Sequence, residues 1–193
     1  MSIDPVLKDI QDHSVELTPE DEEQLRRYAS AGNWAAGDRI LTQAKIADRI
    51  FFVLEGVAGS EQTWDNGKST IARFFQPVDL CTNVTSAWTG QIGSDELVAI
   101  SDVTTLSIPM NFFVQEYLYG SSFGLYLRKR VLNNQLFSKE LICAKTSGQT
   151  EERYHFLEKY QPAVLDLVPQ KDVARFLGLT AQGFSRFLRN QRG

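Results

Sequence analysis

The sequence predicts an α+β chain: an amino-terminal region of short antiparallel strands, one long helix, and a carboxy-terminal helix-turn-helix. Three observations carry this. Short β-rich stretches recur between Trp34 and Pro109, a helical apolar period without proline follows to about Lys145, and the last 25 residues hold two apolar helical repeats separated by a glycine. A chain of 193 residues, 42% hydrophobic and 23% charged, is long enough for one good core and a second small one. That excludes large multidomain enzymes and disordered chains.

The elements follow in order. In the run TPEDEEQLRRYAS, Thr18 is placed to cap a helix, Pro19 suits its first turn, and the acids favour its dipole. Strands are expected at RILT (39–42), IFFVLEG (50–56), TIARFF (70–75), LVAI (97–100) and VTTLSI (103–108). Asn66-Gly67 is a hairpin signal between GSEQTW and STIARFF. Strands this short and closely spaced imply an antiparallel sandwich or barrel.

The segment from 110 to 146 is expected to be one helix. Val114, Leu118, Leu125, Leu132, Leu136 and Cys143 fall on one stripe, while Phe113, Leu127 and Val131 fall opposite. A helix apolar on two faces must be covered twice. The seven-residue spacing of Leu118, Leu125 and Leu132 suits a parallel two-stranded contact, extended by Leu136; the alternative is an ordinary buried helix. Ser147-Gly148 breaks the helix, and TEERYHFLEKY forms another. The expected divisions are 1–109, 110–146 and 147–193.

The net charge of -4 hides an asymmetry: residues 1–127 carry 8 Lys/Arg against 18 Asp/Glu, and residues 128–193 carry 12 against 6. An acidic body with a basic tail suits a polyanionic partner, although basic residues can also simply solvate helices. No apolar run approaches the ~20 residues of a membrane span and no signal peptide is visible, so a cytoplasmic protein with no membrane partner is expected. Cys81 and Cys143 lie far apart without a CxxC motif, which fits free thiols better than a disulfide or zinc site. His13 and His155 fall outside the β-region, so a cupin-type metal centre is not expected, and no metal ligand set or catalytic set is visible.

The last 25 residues are the most informative. Pro169 is placed at the start of a helix, Val173, Phe176 and Leu177 give it an apolar face, and Gly178 ends it. Leu179 can fill the turn, Thr180 can cap a second helix, and Phe184, Phe187 and Leu188 repeat the spacing. This is a helix-turn-helix. Gln182, Arg186 and Arg189 then share the wet face, and their side chains suit base edges and phosphates. Lys171, Arg175, Arg186, Arg189 and Arg192 stand against one acid, Asp172, in residues 169–193. The alternative is a plain helical hairpin capping the β-region.

Taken together, the chain resembles a short member of the Crp/Fnr superfamily of bacterial transcription regulators. WAAGDRIL, ADRIFFVLEGVAGS and AISDVTTLSIP are similar to parts of that family's cyclic-nucleotide-binding β-roll, a jelly roll. VPQKDVARFLGLTAQGFSRFLRN is similar to its helix-turn-helix. The resemblance implies a β-roll sensor over 1–109, a dimerisation helix over 110–146, and a DNA-binding domain over 147–193, with Thr180, Ala181, Gln182, Ser185 and Arg186 facing DNA. With Lys171, Arg175 and Arg189 they make the expected DNA-binding set. Double-stranded DNA and a second copy of the chain are the implied partners, with RNA polymerase and a small-molecule effector as further ones.

The departures concern the ligand and the reader. Cyclic-nucleotide binders of this fold use a Gly-Glu-Leu turn and, eleven residues on, an Arg-Ser or Arg-Thr pair, because a buried phosphodiester needs a cationic fork and a ribose hydroxyl needs a carboxylate. Here the turn reads Thr82-Asn83-Val84 and the pair reads Gly93-Ser94. These five residues mark a degenerate pocket, with Cys81 and Trp88 as further lining candidates. No Lys or Arg lies between Arg73 and Arg128, so no replacement cation is expected. No cofactor is expected, cyclic AMP is not expected to bind in the usual manner, and the effector is unidentified. The chain ends soon after Leu188, so the wing of many relatives is expected to be missing. Gly183 costs ~1 kcal/mol relative to Ala inside a helix, and Ala181 replaces a residue that could contact bases, so readout should be weaker and phosphate-dominated. The alternative function is a ligand- or protein-binding module without DNA binding. No enzyme activity is expected.

Overall fold

The computed structural model describes residues 3–191. Two four-stranded antiparallel sheets face each other, in the orders β1-β8-β3-β6 and β2-β7-β4-β5. The strands are β1 (Ser30–Trp34), β2 (Arg39–Leu41), β3 (Arg49–Glu55), β4 (Ala58–Thr63), β5 (Ser69–Phe75), β6 (Leu80–Cys81), β7 (Asp95–Ala99) and β8 (Val103–Pro109). Phe51, Val53, Ala58, Phe75, Leu97 and Val103 fill the space between the sheets. The Asn66-Gly67 turn joins β4 to β5, with Gly67 at φ +75°. The β-roll is thus an α+β domain of the jelly-roll kind.

Helices α1 (Asp4–Asp12) and α2 (Pro19–Tyr28) open the chain. Thr18 caps α2, its Oγ1 accepting from Asp21 N at 3.1 Å. Val6, Ile10 and Leu25 join Phe52 and Leu106 in a core on the outer face of the first sheet. Helix α3 (Val84–Thr89) lies between β6 and β7.

The segment after Pro109 corrects the expectation of one continuous helix. It forms α4 (Met110–Tyr119) and α5 (Ser122–Thr146), separated at Gly120, whose φ of +91° stops the first helix. Ser121 caps the second, accepting from Gly124 N at 2.9 Å. Gly followed by Ser is a stop signal followed by a start signal, and it outweighs the missing proline. Leu118 therefore belongs to α4 and cannot continue the stripe of Leu125, Leu132 and Leu136 on α5. Phe123, Tyr126, Leu127 and Leu141 form the buried side of α5, whereas Leu125 is 43% exposed and Leu132 and Leu136 are each 57% exposed.

Helices α6 (Thr150–Tyr160), α7 (Pro162–Leu167), α8 (Gln170–Leu177) and α9 (Ala181–Gln191) complete the chain. Pro169 precedes the first residue of α8 rather than occupying it. These helices share one core with the second sheet: Ile71, Phe74 and Ile100 pack with Leu157, Val173, Phe176, Leu177 and Phe184. Among the described residues no helix is long and apolar enough to cross a membrane.

Candidate functional site

The candidate site residues fall in two regions: the surface of α8 and α9, and a cavity between the β-roll and α5. In the first, Gly178 adopts φ +75°, which L side chains rarely tolerate, and so closes α8. Leu179 N donates to Ala174 O at 2.8 Å, tying the turn back onto the helix. Thr180 caps α9, its Oγ1 accepting from Gly183 N at 3.0 Å. Phe184 is buried, and the Tyr154 ring meets those of Phe184 and Phe187 at 6.2 and 5.3 Å. This fixes which face of α9 is outward. Gln182, Ser185, Arg186 and Arg189 lie on that face, all exposed, with Thr180, Ala181 and Lys171 exposed beside them. Ser185 Oγ donates to Ala181 O at 3.1 Å.

Arg175 is placed differently from the other members of that set. Its guanidinium donates to Asp172 at 3.1 Å and to Glu61 and Ser69 of the β-roll, and it is half-buried. It therefore anchors α8 to β4 and β5 and does not face outward. Arg192 lies outside the described residues.

The cavity holds about 470 Å³. Its walls come from β3, β5, β6 and α3 of the β-roll and from α4 and α5. Ile50, Phe75, Leu80, Phe113 and Val131 make it chiefly apolar, and Asn134, Gln135 and Ser138 add a polar strip from α5. Of the residues marked by sequence, Thr82, Val84, Cys81 and Trp88 line it. The other three do not. Asn83 is buried and occupied, its Oδ1 accepting from Ser86 N at 2.9 Å to cap α3 and its Nδ2 donating to Asp95. Gly93 packs against Asn83, and Ser94 is exposed, its carbonyl accepting from Gln43. Even Thr82 uses its hydroxyl to bond Arg49 O at 2.8 Å.

The expectation that no cation stands near is corrected by Arg73. It reaches the cavity from β5, donating to Ser138 Oγ at 3.3 Å and lying 4.8 and 4.4 Å from the rings of Phe75 and Phe137. Burial pushes its pKa down from the ordinary value. Nearby, burial pushes the Asp79 carboxyl up and the Cys81 thiol well up. Asp79 is held by Gln76 N at 2.9 Å and by Arg130 at 3.5 Å. Strand periodicity held the missed signal: Arg73 stands two residues before the inward Phe75, hence on the same face.

Comparison with known proteins accords with this architecture. Residues 32–118 match the family described as cyclic nucleotide-binding domain. No curated protein matches the chain in sequence. Among solved structures, a cyclic nucleotide-binding domain containing protein from Listeria monocytogenes superposes with a TM-score of 0.67 at 16% identity, over 97% of this chain and 89% of that one. A CooA mutant from Carboxydothermus hydrogenoformans gives 0.65 at 17% identity, over 91% and 81%. The c-di-GMP responsive global regulator CLP from Xanthomonas campestris gives 0.60 at 14%, over 89% and 90%. The β-roll is thus a domain of the cyclic nucleotide-binding fold. The long helix and the shorter carboxy-terminal helices that follow the β-roll share the overall fold of these solved structures.

Proposed function

We propose that this chain is a cytoplasmic, homodimeric DNA-binding transcription regulator of the Crp/Fnr type, not an enzyme, with a degenerate cyclic-nucleotide-binding domain. The observation that carries the reading is the outward row on α9. Gln182, Ser185, Arg186 and Arg189 follow i, i+3, i+4, i+7 spacing opposite the buried Phe184. Such a row can enter a major groove, with Arg186 on base edges and Arg189 and Lys171 on phosphates. The exposed Leu125, Leu132 and Leu136 supply a dimer face on α5, and two copies would read half-sites about 34 Å apart. RNA polymerase is the further partner expected of such a regulator.

The test is selection of genomic DNA fragments by the purified protein at two salt concentrations. A shared two-fold motif bound with steep salt dependence is the expected result. Arg186→Ala should cost about 1–3 kcal/mol on the selected site and less on random duplex. A second reading is an interaction module without DNA binding. It is favoured by the core that α8 shares with β5, which gives α8 a structural role of its own. A folded dimer that binds no duplex DNA would establish that reading instead.

A further inference from the structure

The cavity carries a conclusion about the chemistry of its ligand, one that rests on reading the β-roll as a sensor. Arg73 is a cation held largely out of water. Its Nε is buried without an acceptor, and Ser138 Oγ is the acceptor for its guanidinium among the described residues. No carboxylate lies within ion-pair distance of it among those residues; Asp79, which pairs with Arg130, attracts it from farther off. A largely buried guanidinium with one hydroxyl acceptor, two ring faces and a carboxylate beyond contact distance is still short of partners, and a planar anion is the group that fits its fork. The rest of the lining is apolar and aromatic. At α3 the wall opens: Val84 is 68% exposed and Trp88 65% exposed, though both line the cavity. A space of this volume suits a small molecule, and such sites pair an apolar body with a few placed polar groups.

We propose that the cavity binds a small organic acid, its carboxylate on Arg73 and its apolar or aromatic body running past Phe75 toward Val84 and Trp88. Asn134 and Gln135 of α5 stand along the same cavity, so the acid would bridge the β-roll to the helix that carries the exposed leucines. Cyclic AMP is a poor fit. Asn83, Gly93 and Ser94, which stand where its ribose and phosphate ligands would be, do not line the space.

The experiment is calorimetric titration of the full chain, without DNA, with 2-naphthoate, decanoate, their primary amides and cyclic AMP. At least one acid should bind tenfold or more tightly than its amide, since a hydrogen bond to a charged group is worth about that or more. Arg73→Met should abolish this discrimination while leaving amide binding within about twofold, and Arg73→Lys should restore part of it. Acid and amide binding equally, neither acid binding at millimolar concentration, or cyclic AMP binding more tightly than both acids would each overturn the proposal. Because no DNA is present, a failure to select DNA leaves this result untouched, and the reverse holds too.

Discussion

Arg175 of α8 pairs with Glu61 of β4 across the junction between the carboxy-terminal helices and the β-roll. The same guanidinium holds Asp172 at 3.1 Å, so two carboxylates share one cation beside the core that Phe74 and Phe176 build. A side chain that basic residue counting assigns to DNA is thereby used to fasten α8 to the β-roll. The wet face of α9 stays clear of this joint. The β-roll and α8 are therefore joined by one guanidinium, while the outward side chains of α9 take no part in the joint.

Arg175→Ala should lower stability to denaturant by about 2 kcal/mol, because it strips the cation from two mostly buried carboxylates. The slope of log affinity against log salt for duplex DNA should not change. Were Arg175 a phosphate ligand, the slope would fall by about 0.9 and stability would hardly move. Measuring both on one preparation separates the roles.

Val78 should be replaceable by glycine with a gain in stability. It adopts φ +65°, a left-handed conformation disfavoured for a β-branched residue. Its backbone is pinned there, the N–H donating to Val53 O at 2.7 Å and the carbonyl accepting from Arg130. Relief of about 1–3 kcal/mol of strain should exceed the ~0.5–1 kcal/mol entropic cost of glycine, for a net gain near 1 kcal/mol. The check is a higher urea midpoint with an unchanged m-value.

Strong local signals were legible and cooperative ones were not. Ile50–Leu54, the Asn66-Gly67 turn and the Gly178-Leu179-Thr180 turn announce themselves because each residue's own preference agrees with its place. Strand β1, with the sequence Ser-Ala-Gly-Asn-Trp, has no alternation. It exists through pairing with β8, Trp34 donating to Thr105 at 3.0 Å. Strand β6 spans only Leu80 and Cys81, opposite Phe51 and Phe52. Helix α1 has only the spacing of Val6 and Ile10 behind Pro5 to mark it, a pattern of little more than two turns. The pocket residues carried over by resemblance split because Thr82 and Val84 border α3's inner side, whereas Asn83 serves the helix end itself.

Lys145 makes stability depend on alkaline pH. Burial, with Arg153 adding to it, pushes its amine down to about 8, while its Nζ donates to Ala72 O at 2.6 Å. Below pH 8 folded and unfolded chains both hold the proton. Between about 8 and 10.5 only the unfolded chain holds it, so this group raises stability as pH rises through that window. Cys81 and Tyr126 act oppositely at higher pH, since burial pushes both groups up and the folded chain keeps their protons longer. The difference between wild type and Lys145→Met isolates the lysine. Denaturation curves should show wild type gaining on the variant from pH 8 to 10.5; parallel curves would mean that Lys145 is not desolvated.

Cys143 should report how two copies pair. It is exposed on α5, seven residues after Leu136, just as Leu132 follows Leu125 by seven, and Cys81 is buried and cannot compete. In a parallel two-stranded contact a residue at such a position faces its own copy, and a disulfide needs Cα atoms about 4.4–6.8 Å apart. Mild oxidation should therefore yield a covalent dimer on a non-reducing gel, and Cys143→Ser should abolish it. Leu132→Glu should remove both the cross-link and the dimer seen by light scattering, with helical content kept, because Leu132 already stands in water in the single chain. A dimer that resists Leu132→Glu, or one that never cross-links through Cys143, would place the interface elsewhere and separate the spacing of α9 from the register of α5.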